Sequence, residues 1–417
     1  MTFGKIYLVG IGPGDAAHMT ARAREAITQA DVVIGYRTYT RLIEDLLAGK
    51  EVIEKGMAEE LDRCTEALDL ARQGHRVALV SSGDVGVFGM AGPLYEVLFE
   101  QGWTPGEGIA VEVVPGVTAA SSCASLVGAP LTHDFCAISL SDLLTPWPVI
   151  ARRLEAAARA DFVTVLYNPR SSRRPRQILE ARDRFLRHRD PATPVAVVQA
   201  AYRPREAVVL TTLADMADGD VTMLTSLIIG NSSSFAREGL MVTPRGYAAK
   251  YDLADGATRP GEAPRVSLSS GLDGWRRQLR EQAAREGIDA AALALSASHS
   301  QVLDALAETG ADDLNVTLAP DSRELLERAL TWEDARLRLS ATGQGGVTID
   351  LAGQRAREDG DRLIIDGAGW RVELPWPSVR HAYLVRSAAG DSVWFQDVDG
   401  ANLLRIECRR SLQKPWI

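Results

Sequence analysis

The chain has 417 residues, a formal net charge of −9 and a charged share of 24%. Domains usually hold about 100–200 residues, so this length predicts more than one domain. The acidic balance argues against nucleic acid or an acidic membrane surface as partners, and no apolar run reaches the roughly 18 residues that predict a membrane helix.

The four cysteines indicate a reducing compartment. Cys64, Cys123, Cys136 and Cys408 form no C-x-x-C pair, which predicts neither a zinc site nor a disulfide framework. No signal-peptide pattern precedes the first predicted strand, which begins almost at once. We therefore expect a cytoplasmic protein that holds no metal.

The first 36 residues predict a strand, a glycine-rich turn, a helix and a second strand. The turn reads Gly10-x-Gly12-Pro13-Gly14. Such a turn brings the backbone close to a ligand in α/β proteins. Proline, however, fixes φ and removes an N–H donor, so the spacing departs from the dinucleotide fingerprint. The turn therefore predicts a ligand-binding loop that is not a nucleotide pyrophosphate site.

Strands and helices alternate from Lys5 to about Leu253, which predicts a parallel or mostly parallel sheet covered by helices. Further predicted strands are 77–81, 109–114, 162–166, 195–199, 207–211 and 224–229, and predicted helices are 60–74, 92–101, 119–127, 150–158 and 174–188. Two prolines interrupt the pattern between 137 and 160. We therefore predict two α/β subdomains, residues 1–140 and 141–253.

The rest of the chain has a different pattern. Residues 254–270 are rich in Gly, Pro and acidic residues, which is typical of a linker. Residues 271–417 predict two helices, 272–285 and 322–330, followed by short strands separated by turns such as Asp399-Gly400. This part is predicted to be an accessory α+β domain rich in β hairpins.

Two glycine clusters follow predicted strands, where open α/β sheets place their ligands. The first contains Ser82, Gly83 and Asp84; Asp84 can accept hydrogen bonds from a small ligand, or it can simply cap the next helix. In the second cluster, Pro-Gly precedes Thr118 and a helix of small residues. The N–H groups at that helix start, with Thr118 as cap, can bind a carboxylate or carbonyl, or the small residues can serve close helix–sheet packing.

Two later clusters carry titratable groups. His133, Asp134 and Asp142 lie within ten residues of one another, and His133 can act as acid or base near neutral pH; the alternative is a structural histidine. Asn168 and Arg170 follow another apolar strand and lead into an arginine-rich helix. These arginines either form a solvated helix face or bind the carboxylates of a polyacidic substrate.

Taken together and in this order, the clusters resemble the tetrapyrrole (corrin/porphyrin) methyltransferase family over residues 3 to about 251. The segments that carry the resemblance are VGIGPGD, SSGDVGVFG, VPGVTAASSCASLVGAPLTHDF, LYNPRSS and IIGNSSS. GYRTYTRLI, ISLSD and LYNPRSSRRP are similar to the precorrin-3B C17-methyltransferases of that family.

The resemblance implies that S-adenosylmethionine binds in the cleft between the two α/β subdomains and that a tetrapyrrole, precorrin-3B, is the substrate. The implied cofactor-binding residues are Pro13, Ser82, Gly83, Asp84, Val87, Thr118, Ala119, Asn168, Ala200 and Thr225. The implied substrate-binding residues are Gly12, Arg37 and Arg170, and the catalytic candidates are His133, Asp134 and Asp142. Relatives also suggest a homodimer.

The implied reaction methylates C17 of the macrocycle and contracts the ring to precorrin-4 in cobalamin biosynthesis. Two alternatives stay open: a C17-methyltransferase that acts on cobalt-factor III or cobalt-precorrin-3, and a tetrapyrrole carrier. Relatives with the cobalt substrate can carry an iron–sulfur tail, and Cys408 alone cannot supply its four thiolates, which favours the metal-free pigment. The tail faintly resembles the haem-utilisation or haem-carrier family, which makes His299 and His381 possible axial ligands; the alternative is a domain for dimer contacts or stability.

Overall fold

The computed structural model describes residues 3–56, 58–308, 314–332, 334–340, 346–351, 356–367, 369–388 and 390–408. The chain forms two compact units, Met1–Gly246 (unit 1) and Tyr247–Ile417 (unit 2). Unit 1 therefore ends a few residues before the predicted boundary at 253. None of the described helices has the length and apolar character that crossing a membrane requires.

The first half of unit 1 is a parallel five-stranded sheet in the order β3-β2-β4-β1-β5. Its strands are β1 (Lys5–Gly10), β2 (Val32–Tyr36), β3 (Glu51–Lys55), β4 (Arg76–Ser81) and β5 (Ala110–Val114). The helices of this half are α1 (Ala21–Gln29), α2 (Arg37–Thr40), α3 (Glu60–Arg72), α4 (Ala91–Glu100) and α5 (Ala119–Val127), with 3-10 helices at Ala16–His18 and Arg41–Leu46.

Helices cover both faces of this sheet, which explains why its central strands are apolar without alternation. Ile6 and Leu8 of β1 pack with α3 and α4 on one face, whereas Tyr7 and Val9 pack with α1 on the other. Because the strands are parallel, their carboxyl ends lie along one edge. The loops after β1, β4 and β5 therefore meet there.

The second half of unit 1 contains a mixed five-stranded sheet in the order β10-β9-β11-β8-β7. The elements of this half are β6 (Gly128–Ala129), β7 (Phe135–Ser139), α6 (Trp147–Arg159), β8 (Val163–Tyr167), α7 (Gln177–Phe185), β9 (Pro194–Gln199), β10 (Ala207–Thr212), β11 (Thr225–Ile229), β12 (Phe235–Arg237) and β13 (Leu240–Val242). The last two strands form a small sheet with β6.

The prediction of a mostly parallel sheet is confirmed for the first half of unit 1 and wrong for the second. Only β7 and β8 pair in parallel, and the other three pairings are antiparallel. A parallel pairing needs a crossover of a dozen or more residues. The link from β9 to β10 spans residues 200–206 and forms a hairpin instead.

The chain passes from the first sheet to the second earlier than 140/141. Strand β7 belongs to the second sheet, and α5 packs on one face of that sheet through Ala120, Cys123 and Val127. Helices α6 and α7 cover its other face. Helix α5 thus joins the two halves, and its N-terminus lies where the loops of both sheets meet.

Glu112 on β5 ties three elements of the first half together. Its carboxylate accepts hydrogen bonds from Arg22 Nε at 2.7 Å and from Lys5 Nζ at 2.6 Å. These bonds lower the pKa of Glu112 from an ordinary 4.5 to about 2, and the bond from Arg22 has the largest effect. A carboxylate whose pKa is depressed by folding stabilises the fold above its unfolded pKa and loses that effect as pH falls toward the folded value.

We therefore expect Glu112→Gln to lower the free energy of unfolding at pH 7 by on the order of 1 kcal/mol, as for a partly exposed ion pair. The difference from the parent protein should shrink as pH falls from 4.5 toward 2. Urea unfolding at several pH values measures it. A deficit that stays constant across this window would mean that the charge of Glu112 is not what stabilises the fold.

Unit 2 is built around a six-stranded antiparallel sheet in the order β14-β20-β21-β22-β15-β16, with a separate antiparallel sheet β17-β18-β19. Its helices are α8 (Tyr247–Lys250), α9 (Leu272–Glu286), α10 (Ile288–Ala294), α11 (His299–Ala307) and α12 (Ser322–Ala329), with a 3-10 helix at Trp376–Ser378. Its strands are β14 (Leu314–Leu318), β15 (Arg336–Ser340), β16 (Gly346–Asp350), β17 (Ala356–Asp359), β18 (Arg362–Gly367), β19 (Trp370–Pro375), β20 (His381–Ser387), β21 (Gly390–Gln396) and β22 (Asn402–Cys408).

The predicted α+β character of this unit is confirmed, including the turn at Asp399-Gly400 between β21 and β22. Helices α9, α10 and α11 pack on one face of the large sheet, and α12 packs on the other. The sequence pattern missed α10 and α11. His299 begins α11, and its Nε2 lies 3.0 Å from Asp289 Oδ1, whereas His381 is exposed at the first position of β20. The haem-ligand role of both stays a prediction.

Candidate functional site

Three loops of the first sheet meet backbone against backbone in unit 1. Gly12 and Gly83 exchange hydrogen bonds, with N···O distances of 3.1 and 2.8 Å. A Cβ on Gly116 would lie 2.1 Å from the carbonyl oxygen of Gly83 and 2.6 Å from that of Gly10. No side chain fits at Gly116 unless the loops separate, so the loops after β1, β4 and β5 form one packed surface.

This surface is one wall of a cleft in unit 1. The loops after β8 and β9, together with the segment that leads into β11 and the first residues of that strand, form the other wall. The structure brings together along this cleft every residue that was predicted to bind the cofactor: Pro13, Ser82, Gly83, Asp84, Val87, Thr118, Ala119, Asn168, Ala200 and Thr225. Residues that the sequence did not single out also line it: Tyr39, Phe88, Ser122, Cys123, Tyr167, Ala201, Arg203, Met223, Leu224 and Ser226.

The carboxylate of Asp84 holds two of the loops together. Its Oδ1 accepts a hydrogen bond from the N–H of Gly86 at 2.7 Å, and its Oδ2 accepts one from Gly116 at 2.9 Å. Asp84 does not cap a helix, since α4 begins only at Ala91 after Met90. The alternative of an N-cap is therefore wrong, and Asp84 positions the backbone that lines the cleft.

Tyr167 takes the capping role that was predicted for Thr118. Thr118 stands at the N-cap position of α5, but its side chain makes no cap hydrogen bond. Its Oγ1 lies 2.7 Å from the hydroxyl of Tyr167, which also accepts the N–H of Ala120 at 2.9 Å. Burial raises the pKa of Tyr167, so the phenol stays neutral. One N–H at the start of α5 is thus already occupied by the protein.

Residues with left-handed backbone lie on both walls of the cleft: Phe88 on the first wall has a φ of +52°, and two more lie on the second wall. Asn168 and Ala200, which directly follow β8 and β9, have φ of +50° and +48°. Non-glycine residues in this left-handed region cost of order 1–3 kcal/mol and cluster at ligand sites. Asn168 is held by its Nδ2, which donates to Ser139 Oγ at 3.1 Å, and by its carbonyl oxygen, which accepts from Arg174. Composition and periodicity carry no signal for such strain.

The three predicted catalytic residues separate into two places. Strands β7 and β8 run parallel with Ser139 opposite Tyr167. His133 and Asp134 precede β7 and therefore lie at the end of the sheet opposite to Asn168, where the exposed His133 ring accepts the backbone N–H of Asp134 at 2.8 Å. Their proximity in sequence to the cleft residues thus does not bring them to the cleft in space.

Asp142 follows β7 at the other end of the strand, the end at which Asn168 lies. Its Oδ2 accepts a hydrogen bond from Gln177 Nε2 at 2.8 Å. Arg170 is two residues after Asn168 and is half-buried. Its buried Nε has no hydrogen-bond partner among the described residues.

The two other predicted substrate contacts have structural partners. Gly12 has a φ of +73°, and a Cβ there would lie 2.7 Å from the carbonyl oxygen of His18, so a tight turn requires glycine. Arg37 is 65% exposed, and its Nε donates to Glu54 Oε2 at 2.9 Å. None of the three predicted substrate-binding residues, Gly12, Arg37 and Arg170, is among the residues that line the cleft.

Arg203 was missed by the sequence analysis. It lies on the β9–β10 turn, and its guanidinium donates to Ser82 Oγ at 2.5 Å and to the carbonyl oxygen of Pro13. Burial lowers its pKa. The only sequence signal was an arginine in a short turn after a buried strand, and nothing in that pattern places it against a turn 190 residues earlier.

An α/β unit in which the loops of two sheets close on one cleft is an architecture for binding a small molecule. Residues 5–217 match the family of Tetrapyrrole (Corrin/Porphyrin) Methylases. The match covers more than half of the chain, and the chain belongs to this family.

Curated relatives and solved structures agree with this assignment. The chain is 54% identical over 250 residues to the "Cobalt-factor III methyltransferase" of Priestia megaterium. This alignment covers 60% of this chain and 46% of that protein. It is 49% identical over 240 residues to the "Probable cobalt-factor III C(17)-methyltransferase" of Salmonella typhimurium, with 58% and 98% covered. The crystal structure of the methyltransferase CobJ aligns with a TM-score of 0.54 and 35% identity over 58% of this chain and 100% of that one.

These findings confirm the predicted family and the α/β fold of its methyltransferase part. The chain spans about half the length of the relative from Priestia megaterium. The family match ends within unit 1, and the faint haem-carrier resemblance of the tail stays a prediction.

Proposed function

We propose that this chain transfers a methyl group from S-adenosylmethionine to C17 of precorrin-3B, with contraction of the ring to precorrin-4, in cobalamin biosynthesis. Family membership supports methyl transfer to a tetrapyrrole. The observation that carries the proposal is that residues predicted from separate motifs, from Pro13 to Thr225, line a single cleft. A cytoplasmic location and a homodimer remain predictions.

The polar and apolar side chains that line the cleft fit S-adenosylmethionine. Ser82, Thr118 and Thr225 supply hydroxyl groups, whereas Val87 and Met223 supply apolar surface, a mixture that is usual for small-molecule sites. When bound, the cofactor supplies a methyl group on a sulfonium, which is already electrophilic. The main task of the protein is therefore to hold donor and acceptor in line.

The residues of the chain do this by keeping the walls rigid. Asp84 fixes the loops after β4 and β5 through the N–H groups of Gly86 and Gly116. Tyr167 fixes the start of α5 through Ala120. Preorganised walls of this kind reduce the cost of ordering the ligands on binding.

Ring contraction requires a group that accepts a proton within hydrogen-bond reach of the substrate. Of the three predicted candidates, Asp142 follows the end of β7 that lies beside Asn168. His133 and Asp134 precede the opposite end of that strand. Asp142 is therefore the first candidate for this role; it lies at the cleft end of β7 but is not among the residues that line the cleft.

Cobalt-factor III is the second candidate substrate, because the relatives from Priestia megaterium and Salmonella typhimurium carry that substrate in their names. The single cysteine of the tail favours the metal-free pigment, whereas the names of these relatives favour the cobalt pigment. Among the described residues no group of three His, Cys, Asp or Glu residues is placed to hold a metal ion.

The test is turnover of the full chain with S-adenosylmethionine and each pigment in parallel, without oxygen. We expect S-adenosylhomocysteine and a pigment heavier by one methyl group with precorrin-3B. Product only with cobalt-factor III would move the assignment to the second substrate. Tight binding of both pigments without methyl transfer would overturn the proposal and favour a carrier.

A further inference from the structure

Arg203 brings a positive charge into the cleft without a partner of opposite charge. Its two hydrogen-bond acceptors, Ser82 Oγ and the carbonyl oxygen of Pro13, are neutral. None of the described carboxylates forms an ion pair with it, and burial lowers its pKa. A partly buried cation of this kind is stabilised when an anion reaches it.

The turn that carries Arg203 is held firmly. The N–H of Arg203 donates to the carbonyl oxygen of Ala200 at 2.9 Å, and the N–H of Glu206 donates to that of Arg203 at 3.0 Å. Next to it, the Tyr202 ring packs on the His18 ring with centroids 3.9 Å apart, and its hydroxyl lies 2.8 Å from Ser125 Oγ. The guanidinium is therefore positioned by the fold before any ligand arrives.

On the opposite wall, the absence of a side chain at Gly14 leaves space for Arg203. A Cβ on Gly14 would lie 2.8 Å from both Cγ and Nε of Arg203. The stem of the arginine thus crosses the glycine-rich turn, and its head lies beside Ser82, a residue of the cleft wall. A guanidinium has five N–H donors in a planar fork. The bonds to Pro13 and Ser82 engage two of them, and the others have no partner among the described residues.

We propose that Arg203 binds a carboxylate of the ligand in this cleft and thereby determines which ligands the cleft accepts. The inference rests on the proposed function, in which two ligands carry carboxylates: the methionine end of the methyl donor and the side chains of the macrocycle. A guanidinium suits either, because its fork matches the two oxygens of a carboxylate.

The experiment compares the full-length protein with Arg203→Gln by calorimetry. One titrant is S-adenosylhomocysteine, which has a carboxylate, and the other is 5′-methylthioadenosine, which lacks the amino-acid end. A steady-state KM for the pigment completes the set. The matched control is Arg205→Gln, since Arg205 is exposed on the same turn and should leave all three values unchanged.

We expect Arg203→Gln to weaken the binding of one carboxylate-bearing ligand at least about tenfold, as is usual when a hydrogen bond to a charged group is lost. If the affinity for S-adenosylhomocysteine falls and the affinity for 5′-methylthioadenosine is unchanged, Arg203 contacts the carboxylate of the methyl donor. An unchanged S-adenosylhomocysteine affinity with a raised KM assigns it to the macrocycle. If Arg203→Gln does not fold, Arg203→Lys, which keeps the charge but loses the fork, should give the same pattern with a smaller change.

Two results would overturn the inference. One is an Arg203→Gln protein whose affinity for S-adenosylhomocysteine and whose KM for the pigment are both unchanged. The other is an equal loss of affinity for both nucleosides, which would indicate that Arg203 has only a structural role. A parent protein that binds neither nucleoside would refute the proposed function itself, and the inference with it. The binding of the parent protein therefore separates failure of the proposed function from failure of the inference.

Discussion

Replacing Gly116 with alanine is expected to destabilise unit 1 by about 3 kcal/mol, at the upper end of the usual cost of overpacking, and to weaken S-adenosylhomocysteine binding about 100-fold. The new Cβ would lie 2.1 Å from the carbonyl oxygen of Gly83 and 2.6 Å from that of Gly10. Neither neighbour is a flexible side-chain end. The Gly83 oxygen accepts the N–H of Gly12, and Gly10 is the last residue of β1.

The loops after β1, β4 and β5 must therefore separate to admit the methyl group, and the wall of the cleft changes shape. Thermal unfolding and calorimetry of the same sample measure both effects. Gly92→Ala is the matched control, because a Cβ at that position of α4 would meet no atom within 4 Å beyond the adjacent backbone of the helix and alanine is favoured in helices. Parent-like affinity in Gly116→Ala would mean that the packed loops do not shape the binding site.

Replacing Asp84 with asparagine is expected to lower the free energy of unfolding by about 2 kcal/mol, because hydrogen bonds to a charged group are lost, and to weaken S-adenosylhomocysteine binding about tenfold or more. The carboxylate accepts two backbone N–H groups, from Gly86 and Gly116. An amide offers one oxygen and one NH₂ group, so one of these N–H groups would face a donor.

Asp84→Ala removes both acceptors and should cost more than the asparagine variant on both measurements. Asp183→Asn serves as the control, since that carboxylate is 58% exposed and forms an ion pair with the neighbouring Arg182 on α7. Denaturant unfolding and calorimetry distinguish the possible roles. Lost affinity with unchanged stability would make Asp84 a direct ligand contact and not a support for the loops.

Sequence analysis placed the glycine motifs correctly relative to the strands. Pro13, Gly83 and Thr118 were each placed in a loop that directly follows a strand, and such loops share one edge of a parallel sheet. The structure has all of them along one cleft. Local pattern was sufficient because the strand–turn–helix units are short and each carries its own signal.

The polar partners could not be predicted in the same way. His133 and Asp142 are close in sequence, but strand β7 separates them, and one lies at each end of it. Tyr167 replaces Thr118 as the group that holds the start of α5. Both outcomes depend on which residue a folded chain brings opposite another, and no local pattern records that.

The family, the α/β fold and ten residues of the cleft wall were thus already indicated by the order of motifs along the chain, because burial and turn chemistry act over a few neighbouring residues. The antiparallel pairings in the second sheet, the two loops joined by Asp84 and the unpaired charge of Arg203 against Pro13 emerged only from the packing of distant segments. Such contacts form between residues that are far apart in the chain, and strand register and loop closure select them.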